Sequence, residues 1–531
     1  MKGVTFFLLG LFVCCAYAQI PTGWVRVSAP GSTAGDVDGL IPSGDEGNSE
    51  VLSMANFDGY VWMGTRRHSY YLNGDVDRVP RIYRYDVEGG SPIEEFYRGN
   101  GTEDPVFGLV GEDDGYTVML PWNGNLYFGS NNGEAGNGAS VSAIASGADL
   151  GEVERFWTRP EAQSIDAMVV HHSAGVPKLF WAATDTDNIP GIWYSEDPLG
   201  PKRTAYLIKR PDFLFNFKGR VTEMISFNGF LYIFYTPLES FGFWLAKAKE
   251  VSEFQWTWEL VVGDHSASKY FAGMGRIANA KVKALKLANS NKVIVATSSD
   301  AWDRSFNGIP SLPEHFRPAQ IYNFDVNDLW IPVITRLSPP NPARNRATTF
   351  WPTFRAGNYG SGFNNIFNIG MTGLGQMNGR VFVSTLDLPS LLNSGTDSTL
   401  IAALQSADPG LFSNLDMLMP PMFDANSDLT GELPPGIDND SDLQGVLLPG
   451  EDTLADLDQL PDNTNSPFNP AGFDLFVSDD GLTWLPLSVN GFDDGNNFMA
   501  GSMVSVSEED DFYLGTGNPP KGAQLWRLEW P

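Results

Sequence analysis

The chain has 531 residues, ample for a large core, and sets 34 Lys and Arg against 64 Asp and Glu, a net charge of -30. That excess repels nucleic acid and anionic lipid as main partners, and admits calcium, basic proteins and neutral or cationic glycans. The only two cysteines, Cys14 and Cys15, lie near the N-terminus, which excludes a thiol nucleophile or cysteine-held metal from the rest of the chain.

The opening stretch, MKGVTFFLLGLFVCCAYAQ, has a basic start at Lys2, an apolar run and then Ala16-Tyr17-Ala18. This is the layout of a secretory signal peptide over 1–18, cleaved before Gln19. The run is shorter than the ~20 residues a membrane span needs, and no later stretch is long enough. The sequence therefore predicts a secreted, extracellular protein without a membrane span, forming one domain over 19–531.

A short phrase then recurs: NFDGYVWMGT (56–65), WNGNLYFGS (122–130), GVPKLFWAAT (175–184), FNGFLYIFY (227–235), NSNKVIVATS (289–298), MNGRVFVST (377–385) and EEDDFYLGTG (508–517). Each is a turn followed by β-branched and aromatic residues, the pattern of a hairpin entering a strand. Asn-Gly and Asp-Gly suit the positive φ angles of a type I′ turn. Another apolar strand precedes each turn. A third strand follows at variable distance, as in RIYRYDV (81–87), GIWYSED (191–197) and AQLWRLE (523–529), and a fourth lies beyond a short turn, as in EVERFWT and LTWLPLS.

Seven units of four strands predict an all-β, seven-bladed propeller of antiparallel blades, because one small sheet cannot bury both faces alone. The seventh unit ends at LWRLEWP without a fourth strand, whereas GWVRVSA (23–29) has fourth-strand character and no unit of its own. The expectation is that the N-terminal strand closes the last blade.

In such a fold the second-to-third and fourth-to-first connections share one face, and these are the long ones. Long loops on a rigid scaffold are where ligands are held. The ligand-binding candidates there are Arg66, Arg67, His68, Asn131, Asn132, Trp302, Arg304, Arg355, Tyr359, Asn364, Asn497 and Asn518. GFNN (362–365) recurs as DGNN (494–497). Asn and Asp also bond their own loop backbone, so capping is the competing role for each.

No metalloprotease, nucleophile-elbow or phosphate-loop pattern occurs. His171 and His172 are adjacent on a strand and face opposite ways. Were the chain an enzyme, a glycoside hydrolase or polysaccharide lyase at the same face would draw on His68, Arg66 and Tyr70. DTDNIPG (185–191) spaces Asp185 and Asp187 as in calcium loops but lacks the later bidentate glutamate; Ca2+ at those residues is the one cofactor considered.

FVSDDGLTWLPL (476–487) carries Ser478, Asp480, Gly481, Thr483 and Trp484. This resembles the Asp-box of sialidases and related secreted propellers, where the box occupies the third-to-fourth strand hairpin of a blade, away from the catalytic centre. The resemblance implies propeller architecture and extracellular life, and the Phe-Arg-x-Pro start and arginine triad of sialidases have no counterpart here.

Between the second and third strands of blade six lies an acidic insertion, 386–470. No Lys or Arg occurs from Val381 to Pro520, and such composition predicts partial disorder. Sequons stand at Asn100 and Asn439. The expected function is an extracellular binding or matrix protein with a glycan or protein ligand at the loop-rich face; the alternatives are a carbohydrate-active enzyme and a calcium- or mineral-interacting matrix protein.

Overall fold

The computed structural model describes residues 23–28, 40, 50–66, 79–90, 92–104, 108–111, 113–132, 136, 138–201, 203–208, 218–238, 242–264, 268–275, 279–288, 290–299, 318–335, 356–365, 368–387, 390, 472–506, 511–518 and 522–529. Strand β1 is Gly23–Arg26. Set one comprises β2 (Glu50–Phe57), β3 (Tyr60–Arg66), β4 (Arg81–Asp86) and β5 (Glu94–Arg98). A small hairpin, β6 (Gly101–Asp104) with β7 (Gly108–Gly111), follows it. Set two is β8 (Asp113–Trp122), β9 (Asn125–Asn132), β10 (Ser140–Ala145) and β11 (Glu154–Thr158). Set three is β12 (Ala162–Ser173), β13 (Val176–Asp185), β14 (Pro190–Ser195) and the two-residue β15 (Tyr206–Leu207). Set four is β16 (Gly219–Phe227), β17 (Phe230–Pro237), β18 (Trp244–Ser252) and β19 (Gln255–Val262).

Set five is β20 (Lys281–Lys286), β21 (Lys292–Ser298), β22 (Ile321–Asp325) and β23 (Trp330–Ile334). Set six is β24 (Asn368–Met377), β25 (Arg380–Asp387), β26 (Leu475–Ser478) and β27 (Leu485–Ser488). The last set is β28 (Met499–Val506), β29 (Asp511–Gly517) and β30 (Leu525–Glu529). Its fourth strand is β1, which pairs antiparallel with β30 from Gly23↔Glu529 to Arg26↔Trp526.

The first strands of the sets touch one another in a closed cycle, β2–β8–β12–β16–β20–β24–β28–β2. The fold is all-β, antiparallel and propeller-like. Hydrophobic clusters lie between successive sets: Trp62 and Phe96 meet Tyr116 and Phe128, Phe234 and Phe243 meet Phe324 and Trp330, and Val61 and Tyr85 meet Tyr513 and Leu525 to close the cycle. Each fully buried large apolar side chain contributes about 1.5–3 kcal/mol.

The recurrent phrase has three physical parts. The hairpin turns take positive φ in pairs, at Asp58–Gly59, Asn123–Gly124, Ala174–Gly175, Asn228–Gly229 and Asn378–Gly379. The glycine near the end of the strand admits the next set: a Cβ on Gly129 would lie 2.5 Å from Ile165 Cγ2, and one on Gly515 would lie 2.6 Å from Val51 Cβ. The closing hydroxyl caps the start of the third strand. Thr65, Ser130, Thr297, Thr385 and Thr516 accept from the backbone N–H of Arg81, Ser140, Gln320, Asp474 and Gln524 at 2.8–3.2 Å.

Among the described residues no helix is long and apolar enough to cross a membrane. The insertion expected over 386–470 lies outside the described residues, apart from Leu386, Asp387 and Ser390.

Candidate functional site

The first strands begin, and the second strands end, at one face of the ring. There they enclose a cavity of about 190 Å³ on the central axis. Its construction depends on β-bulges. In six sets the ladder between first and second strands skips a residue at the matching position: Leu52, Thr117, Asp166, Thr222, Thr372 and Gly501, with a second skip nearer the strand start in sets two, three and six. A bulge turns its extra residue out of the ladder, and all six line the cavity. Set five has an unbroken ladder and contributes Lys281, Val282 and Lys283.

Four cationic side chains, Arg66, Arg220, Lys281 and Lys283, share this mouth with the carboxylates of Glu50 and Asp166. Arg66 pairs with Asp114 at 3.1 Å, and Arg220 with Asp166 at 2.8 Å. Asp166 also accepts from Ser164 and Thr184 hydroxyls, at 2.8 and 2.7 Å, so its orientation is fixed from two strands. Beside Lys283, burial raises the Glu223 carboxyl above its usual pKa, opposed by that lysine and by the Met224 and Ala284 amides. Asn131 Oδ1 and Thr222 Oγ1 are buried and lack a protein hydrogen-bond partner. Buried polar atoms are nearly always satisfied, so these two invite a donor from outside the protein. No aromatic residue lines the mouth among the described residues. The site is built for polar, hydrogen-bonding chemistry.

Of the residues singled out from sequence, the structure brings Arg66 and Asn131 to this mouth. The others that it describes serve the loops. Asn132 Oδ1 accepts from the Gly138 amide at 2.9 Å, and Asn364 Oδ1 from the Gly360 amide at 2.7 Å. Tyr359 packs on Phe363 and Phe476. Asn497 and Asn518 are fully buried and bonded to each other at 2.9 Å. Asp185 Oδ1 caps its own turn, accepting from the Asp187 and Ile189 amides at 3.0 and 2.7 Å. No group of three or more His, Cys, Asp or Glu placed to hold a metal occurs among the described residues. His171 is buried and His172 exposed; burial lowers the His171 pKa to about 4, and its Nδ1 lies 2.9 Å from Ser226 Oγ. Asn100 is exposed. Arg67, His68, Tyr70, Trp302, Arg304, Arg355 and Asn439 lie outside the described residues.

The GFNN and DGNN likeness is displaced by several residues from the structural equivalence. Gly362-Phe363-Asn364 and Gly491-Phe492-Asp493 share three successive positive φ angles near 60°. Six residues after each glycine an asparagine, Asn368 or Asn497, donates back to that glycine's carbonyl at 3.0 or 2.8 Å. Asn279 does the same to Gly273 at 2.9 Å. These asparagines fix the entry to β20, β24 and β28 and thereby aim the mouth.

No family model and no curated protein matches the chain. Among solved structures, Drosophila Semaphorin 2a aligns over 92% of this chain and 74% of its own, with 9% identity and a TM-score of 0.42. A GH43 β-1,3-galactosidase aligns over 54% of this chain, with 11% identity and a TM-score of 0.29, and the chain spans only 56% of that protein. An α-L-arabinofuranosidase from Clostridium thermocellum aligns over 53% of this chain and 92% of its own, with 10% identity and a TM-score of 0.29. Activity and ligand therefore rest on this chain's own residues.

Proposed function

We propose that the chain is a secreted seven-bladed propeller acting as an extracellular binding protein, with a glycan or protein ligand at the mouth of its central channel. The observation that carries this reading is the convergence of six bulged residues on one axial cavity, with the unpartnered oxygens of Asn131 and Thr222 in its wall. Bulges that re-aim side chains next to functional sites serve binding rather than ladder stability. The blade count is supported by the closed cycle of first strands and by the pairing of β1 with β30. Secretion rests on the signal-peptide layout of residues 1–18.

The turn at 478–484 is read as an Asp-box. Asp480 Oδ1 accepts from the Leu482 and Thr483 amides at 2.7 and 2.6 Å, the Ser478 hydroxyl accepts from the Gly481 amide at 2.9 Å, and Trp484 is fully buried. Burial pushes the Asp480 pKa up, but these bonds outweigh it and hold the carboxyl below its usual range. The box braces a blade and leaves recognition to the mouth.

The test is an array of neutral, amino and uronic-acid glycans together with a panel of extracellular proteins, probed with the wild type and with Arg66→Ala and Arg220→Ala. The expected result is a ligand whose retention falls about tenfold or more in both variants, as loss of a charge-assisted hydrogen bond implies. Binding indifferent to both substitutions refutes the mouth as the site. Release of reducing ends or unsaturated uronates from a polysaccharide replaces the binding reading with the enzymatic one.

A further inference from the structure

The positive charge on the inner wall of the ring is confined to one sector. Of the seven first strands, only β16 and β20 contain a Lys or Arg: Arg220 in the one, and Lys281, Lys283 and Lys286 in the other. The unbroken ladder of β20 with β21 decides where two of these point. Side chains two apart on a regular strand share a face, so Lys281 and Lys283 both reach the mouth, at the level where the other six sets place a bulge. Lys283 is exposed. It feels the charge of Glu223 but forms no ion pair with a carboxylate among the described residues.

The carboxylates beside this sector are already engaged. Asp166 takes Arg220 and the hydroxyls of Ser164 and Thr184. Glu223 accepts from the Met224 amide at 3.1 Å and from the Ala284 amide, next in sequence to Lys283. That second bond ties β16 to β20, so Thr222 and Lys283 belong to one junction between sets four and five. The Thr222 hydroxyl there is buried without a protein partner, and a hydroxyl can donate as well as accept. The other unpartnered atom, Asn131 Oδ1, belongs to set two, with sets three and four between it and set five. A carbonyl oxygen can only accept. Glu50 of set one and the ion pair of Arg66 with Asp114 stand towards that same side. The mouth is therefore polarised, with a positive donor end at sets four and five and an acceptor on the side of set two.

We propose that the ligand of the mouth is an acidic glycan, whose anionic group docks on Lys283, Lys281 and the Thr222 hydroxyl while a ring hydroxyl of the same unit donates to Asn131 Oδ1. This rests on the mouth being the binding site, as proposed above, and adds the charge and orientation of what it holds. A neutral sugar leaves the Lys283 ammonium without a counter-group. An acidic side chain of a protein answers the lysines but brings no hydroxyl to the acceptor across the axis. At physiological ionic strength charges more than about 8 Å away are largely screened, so the groups of this junction outweigh the chain's net charge of -30. Carboxylate and sulfate ester share the chemistry these donors recognise, and the experiment separates them.

The experiment is calorimetry of the full chain with matched pairs: oligogalacturonates against their methyl esters, sulfated galactan oligosaccharides against their desulfated forms, and a glutamate-rich peptide as the protein arm. The expected result is saturable binding of one acidic series, with its uncharged counterpart weaker by about tenfold or more. Lys283→Gln should weaken the acidic series about tenfold and shrink its advantage over the uncharged form to a few-fold, whereas Lys283→Arg, which keeps the charge, should stay within a few-fold of the wild type. The side chain is exposed, so both variants report on binding rather than on packing. No binding of either acidic series, equal binding of acidic and uncharged members, acidic binding that survives Lys283→Gln, or tighter binding of the peptide overturns the inference. An uncharged glycan that binds as well as its acidic form and is lost in Arg66→Ala and Arg220→Ala overturns the acidic ligand and leaves the mouth as the site. An acidic glycan indifferent to Lys283→Gln, Arg66→Ala and Arg220→Ala alike overturns both.

Discussion

Asp474 offers a quantitative test of how the mouth is held. It stands just before β26, is 1% exposed, and accepts from Asn368 Nδ2 at 2.8 Å. Burial raises its pKa from 3.8 to about 7, with a bond from Asn368 acting against it and the charge of Asp387 adding to it. An acid whose folded pKa lies above its unfolded value holds more protons folded than unfolded between the two. Its contribution to stability therefore falls as pH rises from about 4 to about 7, and is flat above that. The interval from 3.8 to about 7 corresponds to about 4 kcal/mol. Asp387, raised by burial to about 6, acts in the same sense. Carboxylates held low, such as Asp480, act in the opposite sense, so the wild-type curve alone mixes signs. Comparison with Asp474→Asn isolates the group. Urea unfolding of both proteins should show near-equal stability at about pH 4 and an advantage for the variant that grows to about 4 kcal/mol by about pH 8. A difference that stays constant across that range refutes the buried-acid argument.

Two further outcomes test the ring itself. Gly515→Ala drives a methyl group to within 2.6 Å of Val51 Cβ, across the junction of the last set with the first; denaturant unfolding should show a loss of about 1–3 kcal/mol. Ala174 occupies the left-handed region at φ 52° in an exposed hairpin turn where other sets place Asn123, Asn228 and Asn378. Ala174→Asn should raise stability by about 0.5–1 kcal/mol, measurable as an upward shift in the unfolding midpoint, and a loss counts against the turn assignment.

Much of this architecture was legible in the sequence because its causes are local. Turn dipeptides with positive φ, strands rich in Val, Ile, Tyr, Phe and Trp, and a terminal Gly-Thr or Gly-Ser all recur at the residues that make the contacts. The mouth was hidden for a different reason. Thr117, Asp166, Thr222 and Thr372 face the axis because of register shifts, and a bulge has no composition of its own: only the pairing of Val51 with Thr65 and Ser53 with Gly64 shows that Leu52 is the extra residue. Loop asparagines are open to two roles in sequence, binding and capping. Asn132, Asn364 and Asn497 look available in sequence, yet each spends its side chain on a backbone partner.

The most direct measurement pairs folding with binding in Asn131→Leu and Thr222→Val. Neither removed oxygen has a protein partner, so a recognition role predicts unchanged or higher stability of the free protein, together with a ligand affinity weaker by about 0.5–1.5 kcal/mol for each bond lost. Stability that falls while affinity for the array-selected ligand holds contradicts the account, since these oxygens then belong to the scaffold and the axial mouth is not where the ligand binds.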